Sequence, residues 1–225
     1  MSITNSAQGD WRSAPKVKVW EQSLADAGCK LNSLKLLQGL YKRDGSLLFA
    51  LVEANAQDEG GKPLLPYALL RGAAVVIVPC LEIEGTTERQ FLMVRQRRIA
   101  HGRISLEFPA GMLDQKVDDA AGIALTELKE ETGLVFRRED LVSLSDKALY
   151  SSPGLSDESI YYFACNKKMS AQEAQALHGS LMGAEHEGEF IHLALMDAKT
   201  ALAETDSLQT TLGFELFFAR YSELR

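Results

Sequence analysis

The sequence predicts an α/β (α+β) fold in which a mixed β-sheet is sandwiched between helices. Of the 225 residues, 46% are hydrophobic, which is enough apolar material for a core. Runs with the composition of strands alternate irregularly with helical patterns, and this favours a mixed sheet over an all-parallel, doubly wound one. The longest apolar run, residues 73–81, is typical of a buried strand.

The first 66 residues predict a tail followed by a small subdomain. Residues 1–15 are polar and predict a flexible, poorly ordered tail. Residues 17–28 predict a short amphipathic helix ended by Gly28, which suits the left-handed conformation of a C-terminal cap. Apolar runs at 34–41 and 47–53 flank Arg-Asp-Gly-Ser, and Asp-Gly in this position predicts a β-hairpin. A loop with Gly and Pro at 55–67 closes this subdomain, which we place at 16–66.

The main domain is expected to span residues 67–225. Its strands are predicted at 72–85, 91–96, 104–108, 158–165 and 188–195. Its helices are predicted at 118–132, 170–179, 197–204 and 208–224. Several aromatic residues have helical spacing and are expected to pack in the core: Trp20, Phe214, Phe217, Phe218 and Tyr221.

Charge and composition limit the classes of function. The chain has 24 basic and 31 acidic side chains and a net charge of −7. This balance argues against nucleic acid as a partner, because nucleic acid is bound mainly through neutralised phosphates. It is compatible with a divalent metal ion that bridges carboxylates to a small phosphate ligand.

Compartment and membrane association follow from similar arguments. No apolar run reaches the roughly 20 residues that span a bilayer, so we expect no membrane partner. The first residues lack the apolar segment of a secretory signal. Cys29, Cys80 and Cys165 are scattered without the spacing of a metal site, which suits thiols in a reducing compartment. We therefore expect a cytoplasmic protein.

The helix predicted at 118–132 carries an acidic face. At about 100° per residue, Glu127, Glu130 and Glu131 fall within roughly one third of its circumference. Hard oxygen ligands on one rigid face suit a divalent cation, although a solvated helix face is the alternative for these residues taken alone. Gly111, in the preceding Pro-Ala-Gly turn, would let a backbone carbonyl approach a metal or phosphate without a side chain in the way.

These residues resemble the Nudix box: Gly, five residues, Glu, seven residues, then Arg-Glu-apolar-x-Glu-Glu-x-Gly-apolar. Residues 127–134 match its second half without a gap. Asp118 stands where the family has Glu, with six residues between it and Gly111. Thr126 stands where the family has Arg. In the family this missing pair helps to hold the metal-binding helix, so the departures bear on the rigidity of the helix more than on the metal site.

Three further segments resemble the ADP-sugar diphosphatase and ADP-ribose pyrophosphatase branch, closest to the plant-type enzymes. They are LEFPAGMLD at 106–114, SSPGLSDE at 151–158 and EGEFIHL at 187–193. The resemblance implies a Nudix fold and metal-dependent hydrolysis of the diphosphate of a nucleoside diphosphate sugar. The SSPGLSDE segment disfavours coenzyme A or dinucleoside polyphosphates as substrates. A catalytically weak domain that binds nucleotide-sugars as a sensor is the alternative, motivated by Asp118 and Thr126.

The resemblance also implies roles for individual residues. Mg2+, or alternatively Mn2+, would be held by Glu127, Glu131, Glu189 and the Ala110 carbonyl. Glu130 would orient a ligand or a water molecule. The general base would be Glu187 or Glu158, whereas His186 and His192 are expected to be polar surface.

Substrate-binding residues are implied on both sides of the box turn. Among the arginines at 95–103, Arg97 is the first choice for the diphosphate or terminal sugar, with Arg95 or Arg98 next, because a guanidinium suits phosphate oxygens. A solvated basic turn, which includes Arg103, is the alternative. The other implied contacts are Glu107, Gly111, Met112, Pro153 and Gly154. An edge-strand charge at Glu107 and a purely structural turn at Pro153 and Gly154 remain open.

The hairpin at 34–53 predicts a homodimer. Both of its strands are apolar, yet an isolated hairpin is only marginally stable in water and needs a covering surface. Relatives in this branch pair through such an N-terminal sheet. The alternative is a monomer in which the hairpin folds back on its own domain.

Overall fold

The computed structural model describes residues 10–114, 118–182 and 190–224. Its strands are β1 (Lys30–Tyr41), β2 (Leu47–Gln57), β3 (Tyr67–Leu70), β4 (Ala74–Ile83), β5 (Arg89–Arg97), β6 (Ile104–Glu107), β7 (Ala110–Met112), β8 (Leu141–Ser143), β9 (Leu149–Tyr150), β10 (Ser159–Met169), β11 (Leu181–Met182) and β12 (Ile191–Met196). Its α-helices are α1 (Pro15–Asp26), α2 (Ala120–Thr132), α3 (Ala171–Leu177), α4 (Ala198–Glu204) and α5 (Leu208–Arg220). Short 3-10 turns occupy Trp11–Ser13, Arg138–Asp140 and Ser222–Leu224.

The chain forms two compact units. The N-terminal unit comprises Met1–Ala74, Met112–Asp118 and Leu149–Ile160. The core unit comprises Val75–Gly111, Asp119–Ala148 and Tyr161–Arg225. The boundary that we placed at residue 67 stays a prediction.

In the N-terminal unit, β1, β2 and β3 form an antiparallel sheet with α1 packed on it. The predicted hairpin is present, with Gly45 at φ +84° in its turn. Val17 and Trp20 of α1 pack with Tyr41, Val52 and Leu70 of the sheet. The tail predicted at 1–15 is wrong for its last residues, because Trp11 packs on this cluster and α1 begins at Pro15. The loop predicted at 55–67 is also shorter than expected, because β2 runs to Gln57 and β3 begins at Tyr67.

The larger sheet is mixed, as predicted. Its strand order is β11-β12-β5-β4-β10-β8, with β6 beside β5 and β7 beside β4. In the core unit, α3 packs near β12 around Leu92, Ile191 and Leu193, which are all buried. The fold prediction is therefore confirmed. Five strands of two to four residues were missed because strands this short carry little periodic signal: β3, β7, β8, β9 and β11.

The aromatic residues of α5 form the other part of the core, as predicted. Phe214 and Phe217 are completely buried, and the ring centroids of both lie within hydrophobic contact of Phe91, at 4.9 and 5.3 Å. Phe108, just before the box turn, packs 4.7 Å from Phe214. This packing fixes the strand that leads into the candidate site. Among the described residues, no helix is long and apolar enough to cross a membrane.

Candidate functional site

The turn after β6 is the centre of the candidate site. Phe108 is 1% exposed and anchors the turn in the aromatic core. Ile77 N donates a hydrogen bond of 2.9 Å to Pro109 O. Ala110 and Gly111 then begin β7. The core therefore holds the Pro-Ala-Gly turn in two ways, through the buried Phe108 side chain and through the backbone hydrogen bond from Ile77 to Pro109.

Glu127 lies directly against Gly111. A Cβ atom added at position 111 would lie 2.0 Å from Glu127 Cδ, so any side chain there would displace the carboxylate. In this structure the space that Gly111 leaves is filled by the carboxylate of Glu127, while the expected approach of a backbone carbonyl to a metal or phosphate stays a prediction.

Glu131 reaches the same turn from the next turn of α2. Its Oε2 accepts a hydrogen bond of 3.1 Å from Ala110 N, and the residue is only 9% exposed. The i, i+4 spacing puts Glu127 and Glu131 one above the other, and the buried Ala124 and Leu128 fix the adjoining face of the helix. Glu130 is exposed.

The start of α2 is defined by residues that sequence reasoning did not single out. Asp119 is the N-cap, and its carboxylate accepts a hydrogen bond of 3.1 Å from Gly122 N. The acceptor atom is Asp119 Oδ1, and the same oxygen also accepts a hydrogen bond of 2.5 Å from Arg138 Nη2. Asp118 and Thr126 are exposed, and Thr126 Oγ1 donates to Gly122 O at 3.0 Å. An Asp just before a helix indicates an N-cap, so the sequence contained a signal for this role. Whether Asp118 or Asp119 is the cap depends on the conformation of the preceding loop.

The donor set at the turn suits a divalent cation. Glu127 and Glu131 supply hard carboxylate oxygens, and Gly111 presents no side chain beside them. Within the described ranges, His, Cys, Asp and Glu side chains form no group of three or more that could hold a metal ion. Glu189, the third predicted carboxylate, lies outside those ranges, as do Glu187 and His186.

The arginines at 95–103, three of which were predicted to bind substrate, all have partners within the core unit. Arg98 forms a bidentate ion pair with Glu107, in which Nε donates to Oε1 at 2.9 Å and Nη2 donates to Oε2 at 2.6 Å. Arg97 Nη1 donates to Gly102 O at 2.7 Å. Arg95 pairs with Glu204, and Arg103 with Asp206.

The ion pair with Arg98 favours the ionised form of Glu107. Burial by itself would raise the pKa of Glu107, but the hydrogen bonds and positive charge of Arg98, with smaller contributions from Ser105 and His101, outweigh burial and lower the pKa. The structure thus brings together Arg98 and Glu107, which the sequence analysis had proposed as two separate substrate contacts.

The loop at 151–158 lies in the N-terminal unit and is held by its own network. Both carboxylate oxygens of Glu158 are engaged: Arg71 Nε lies 2.8 Å from Oε1, in an ion pair too bent for a hydrogen bond, and Ser151 Oγ donates to Oε2 at 2.5 Å. Pro153 and Gly154 are exposed at the tip. Met112, at the end of β7, is half-buried.

Asp157 joins this loop to the end of β3. Its Oδ1 accepts hydrogen bonds from Arg71 N at 2.6 Å and Gly72 N at 3.0 Å. Burial raises the pKa of Asp157 despite these donors. His192 on β12 is exposed, as expected for polar surface.

Comparisons with known proteins place this geometry in a family. The family model of the NUDIX domain matches residues 71–209. The chain is 29% identical over 202 residues to Nudix hydrolase 14, chloroplastic, of Arabidopsis thaliana, which covers 86% of this chain and 64% of the plant protein. The chain therefore spans less than two thirds of that relative.

Two other proteins are similar. The ADP-ribose pyrophosphatase of Bacillus subtilis (strain 168) is 28% identical over 140 residues, which is 62% of this chain and 69% of the bacterial protein. The crystal structure of an ADP compounds hydrolase superposes with a TM-score of 0.58 at 16% identity and covers 87% of this chain and 95% of that one, so it shows a shared fold. Because the family match covers more than half of the chain and includes the turn and helix described above, this chain belongs to the Nudix family.

Proposed function

We propose that the chain hydrolyses the diphosphate of a nucleoside diphosphate sugar. ADP-ribose would give AMP and ribose 5-phosphate, and an ADP-sugar would give AMP and a sugar 1-phosphate. The observation that carries the proposal is the convergence of Glu127 and Glu131 on the Ala110–Gly111 turn. The names of the relatives, an ADP-ribose pyrophosphatase among them, support this class of substrate.

Nudix hydrolases use divalent metal ions, and for this chain we propose Mg2+, with Mn2+ as a substitute. Glu127, Glu131 and Glu189 would hold it together with the Ala110 carbonyl. A bound divalent ion supplies charge stabilisation to phosphoryl oxygens. The chain's own contribution is a fixed turn, because Glu131 also accepts the Ala110 N–H and so holds that backbone in place.

In the proposed reaction, water attacks phosphorus, an anhydride P–O bond breaks, and a carboxylate accepts the water proton. Glu130 is exposed beside the two metal-binding candidates, which supports its role in orienting a ligand or water. For the general base we favour Glu187 over Glu158, because both oxygens of Glu158 already have partners. Glu187 rests on the resemblance alone, since it lies outside the described residues.

Arg98 and Glu107 are the substrate contacts that the geometry supports best. A diphosphate would compete with Glu107 for the Arg98 guanidinium, because phosphate oxygens can accept the same bidentate pair of hydrogen bonds. Arg97, Arg95, Gly111 and Met112 remain proposed contacts. For Pro153 and Gly154 we propose contact with the sugar, and their exposure leaves them accessible to it.

We also propose a homodimer formed through the N-terminal unit. The argument that the hairpin needs a second subunit to cover it is weakened by the structure, because α1 and β3 already cover part of the hairpin within its own chain. Support comes from large apolar side chains of this unit that are still exposed, with Leu65 at 87% and Tyr67 at 55%.

We propose the cytoplasm as the location of the chain. Cys80 and Cys165 are buried, free thiols, and burial raises the pKa of Cys80 to about 11. Unpaired cysteines suit a reducing compartment. Cell fractionation with an antibody against the chain would test this location.

A substrate panel tests the proposed activity. ADP-ribose, ADP-glucose and UDP-glucose are incubated with the chain and Mg2+, the nucleoside monophosphate is measured, and binding is followed by calorimetry. We expect AMP from at least one ADP-linked sugar. Micromolar binding without turnover of any substrate would instead support the nucleotide-sugar sensor.

A further inference from the structure

Lys16 is a buried charge that the proposed mechanism does not use. It lies in the first turn of α1 and is only 3% exposed. A lysine is almost never fully buried without a partner, and a positive charge in the first turn of a helix opposes the helix dipole. Helix formation and core packing therefore give no reason for a lysine at this position.

The partners of Lys16 come from segments far away in the chain. Its Nζ donates hydrogen bonds of 2.8 Å to Leu48 O and 2.8 Å to Asp114 Oδ1. The second oxygen of Asp114 pairs with Lys42, which follows β1. Asp114 thus lies between two lysines, and it comes three residues after Gly111 of the box turn. Leu113 N donates to Ala73 O at 2.9 Å and adds a backbone tie to the same segment.

Lys16 also contacts the segment that holds the loop at 151–158. A Cβ atom at Gly72 would lie 3.1 Å from Lys16 Cβ, so the helix and this backbone segment are in close contact there. Gly72 N, together with Arg71 N, donates to Asp157 of that loop. The charge of Lys16 also acts on Asp157, where it partly offsets the effect of burial on the pKa.

We propose that Lys16 is a positioning residue that fixes two functional segments at once: residues 112–114, which continue the box turn, and the loop at 151–158. The inference rests on the proposed function for its effect on catalysis. It gives the N-terminal helix a role within the N-terminal unit of its own chain, separate from any contact with a second subunit.

The test compares Lys16→Met with Lys18→Met. Lys18 lies on the same helix, its side chain is 59% exposed, and it pairs with Glu21 at 3.5 Å on the surface. In Lys16→Met we expect the Leu113 and Asp157 amides to exchange hydrogen faster and kcat to fall by about 10- to 100-fold, because small displacements of reacting groups have effects of this size. Lys18→Met should match the wild type in both measurements.

A second variant separates positioning from loss of stability. Lys16→Met with Asp114→Leu removes the buried lysine charge together with its half-buried partner, and replacing such a pair by apolar residues is often neutral for stability. We expect its melting temperature to recover while kcat stays low and the amides at 113 and 157 remain fast.

Recovery of wild-type kcat in the double variant would overturn the proposal, as would unchanged exchange in Lys16→Met. If the wild type hydrolyses no nucleoside diphosphate sugar, the proposed function fails, and the exchange measurement still decides whether Lys16 holds the two segments.

Discussion

At the scale of single residues, the site depends on one glycine and two carboxylates that share a small volume. Gly111 leaves room for Glu127, and Glu131 holds the neighbouring backbone N–H. Both carboxylates could be predicted from the sequence, because i, i+4 spacing on a helix is a local property. The contacts of Glu127 with Gly111 and of Glu131 with Ala110 N could not be predicted, since they depend on how the helix packs.

Glu131→Gln separates charge from backbone support. The amide oxygen of Gln can still accept the Ala110 N–H, so the turn should keep its shape while a charged ligand is lost. We expect kcat to fall at least about 100-fold, which is about 2.7 kcal/mol of transition-state stabilisation. Glu88→Gln, in an exposed turn, is the control. A Glu131→Gln enzyme within about threefold of the wild type would rule out the proposed metal ligand.

Gly111→Ala tests the shared volume directly. The new methyl group would overlap Glu127 Cδ, so the carboxylate must move. We expect a loss of about 1–3 kcal/mol in the free energy of unfolding. Mn2+ binding, followed by electron paramagnetic resonance, should weaken about 10- to 100-fold. Gly60→Ala, where the nearest atom would be 3.4 Å away, should change neither quantity; equal Mn2+ affinity in Gly111→Ala would contradict the arrangement.

The arginines at 95–103 show where sequence reasoning stops at this scale. Their chemical type suggested phosphate contacts, but Arg95 pairs with Glu204, which is 109 residues away in the sequence. Arg103 likewise pairs with Asp206. Such partners become visible only once the fold brings distant segments together.

At the scale of elements, α2 was located from its sequence, while its first residue was not. The apolar and acidic periodicity predicted the helix, and Gly133 at φ +72° ends it as expected of a glycine cap. The sequence predicted a helix from residue 118, whereas Asp119 is the N-cap and α2 begins at Ala120. The buried Lys16 on α1 had no local signal at all, since its partners Leu48 and Asp114 are distant in sequence.

Restoring the usual box pair should be harmless to α2. Asp118 and Thr126 are both exposed, so Asp118→Glu with Thr126→Arg places two long polar side chains at the surface. We expect the double variant to fold and to gain no more than about 1 kcal/mol in unfolding free energy, as for exposed ion pairs. Chemical denaturation would measure this gain, and an unfolded double variant would show that our alignment of the loop is wrong.

At the scale of the whole molecule, the central question is whether two chains associate. Light scattering at micromolar concentration should give twice the 24.7 kDa of one chain. Deleting residues 1–55 removes α1, β1 and most of β2, and should abolish the dimer and weaken substrate binding although every box carboxylate remains. Lys16→Met should keep the dimer mass, because Lys16 is buried within its own chain. A mass near 24.7 kDa for the full chain would refute the dimer.

The proposed role of Glu127 and Glu131 is tested most directly by the metal dependence of ADP-ribose hydrolysis by the full chain. AMP is measured with Mg2+ present, after chelation with EDTA, and after excess Mg2+ is restored. Because Glu127 and Glu131 are proposed to act through a divalent ion, we expect AMP formation to fall at least about 100-fold on chelation and to return with Mg2+. Turnover that is unchanged by EDTA, or no AMP with Mg2+ present, would contradict the proposed metal-dependent hydrolysis.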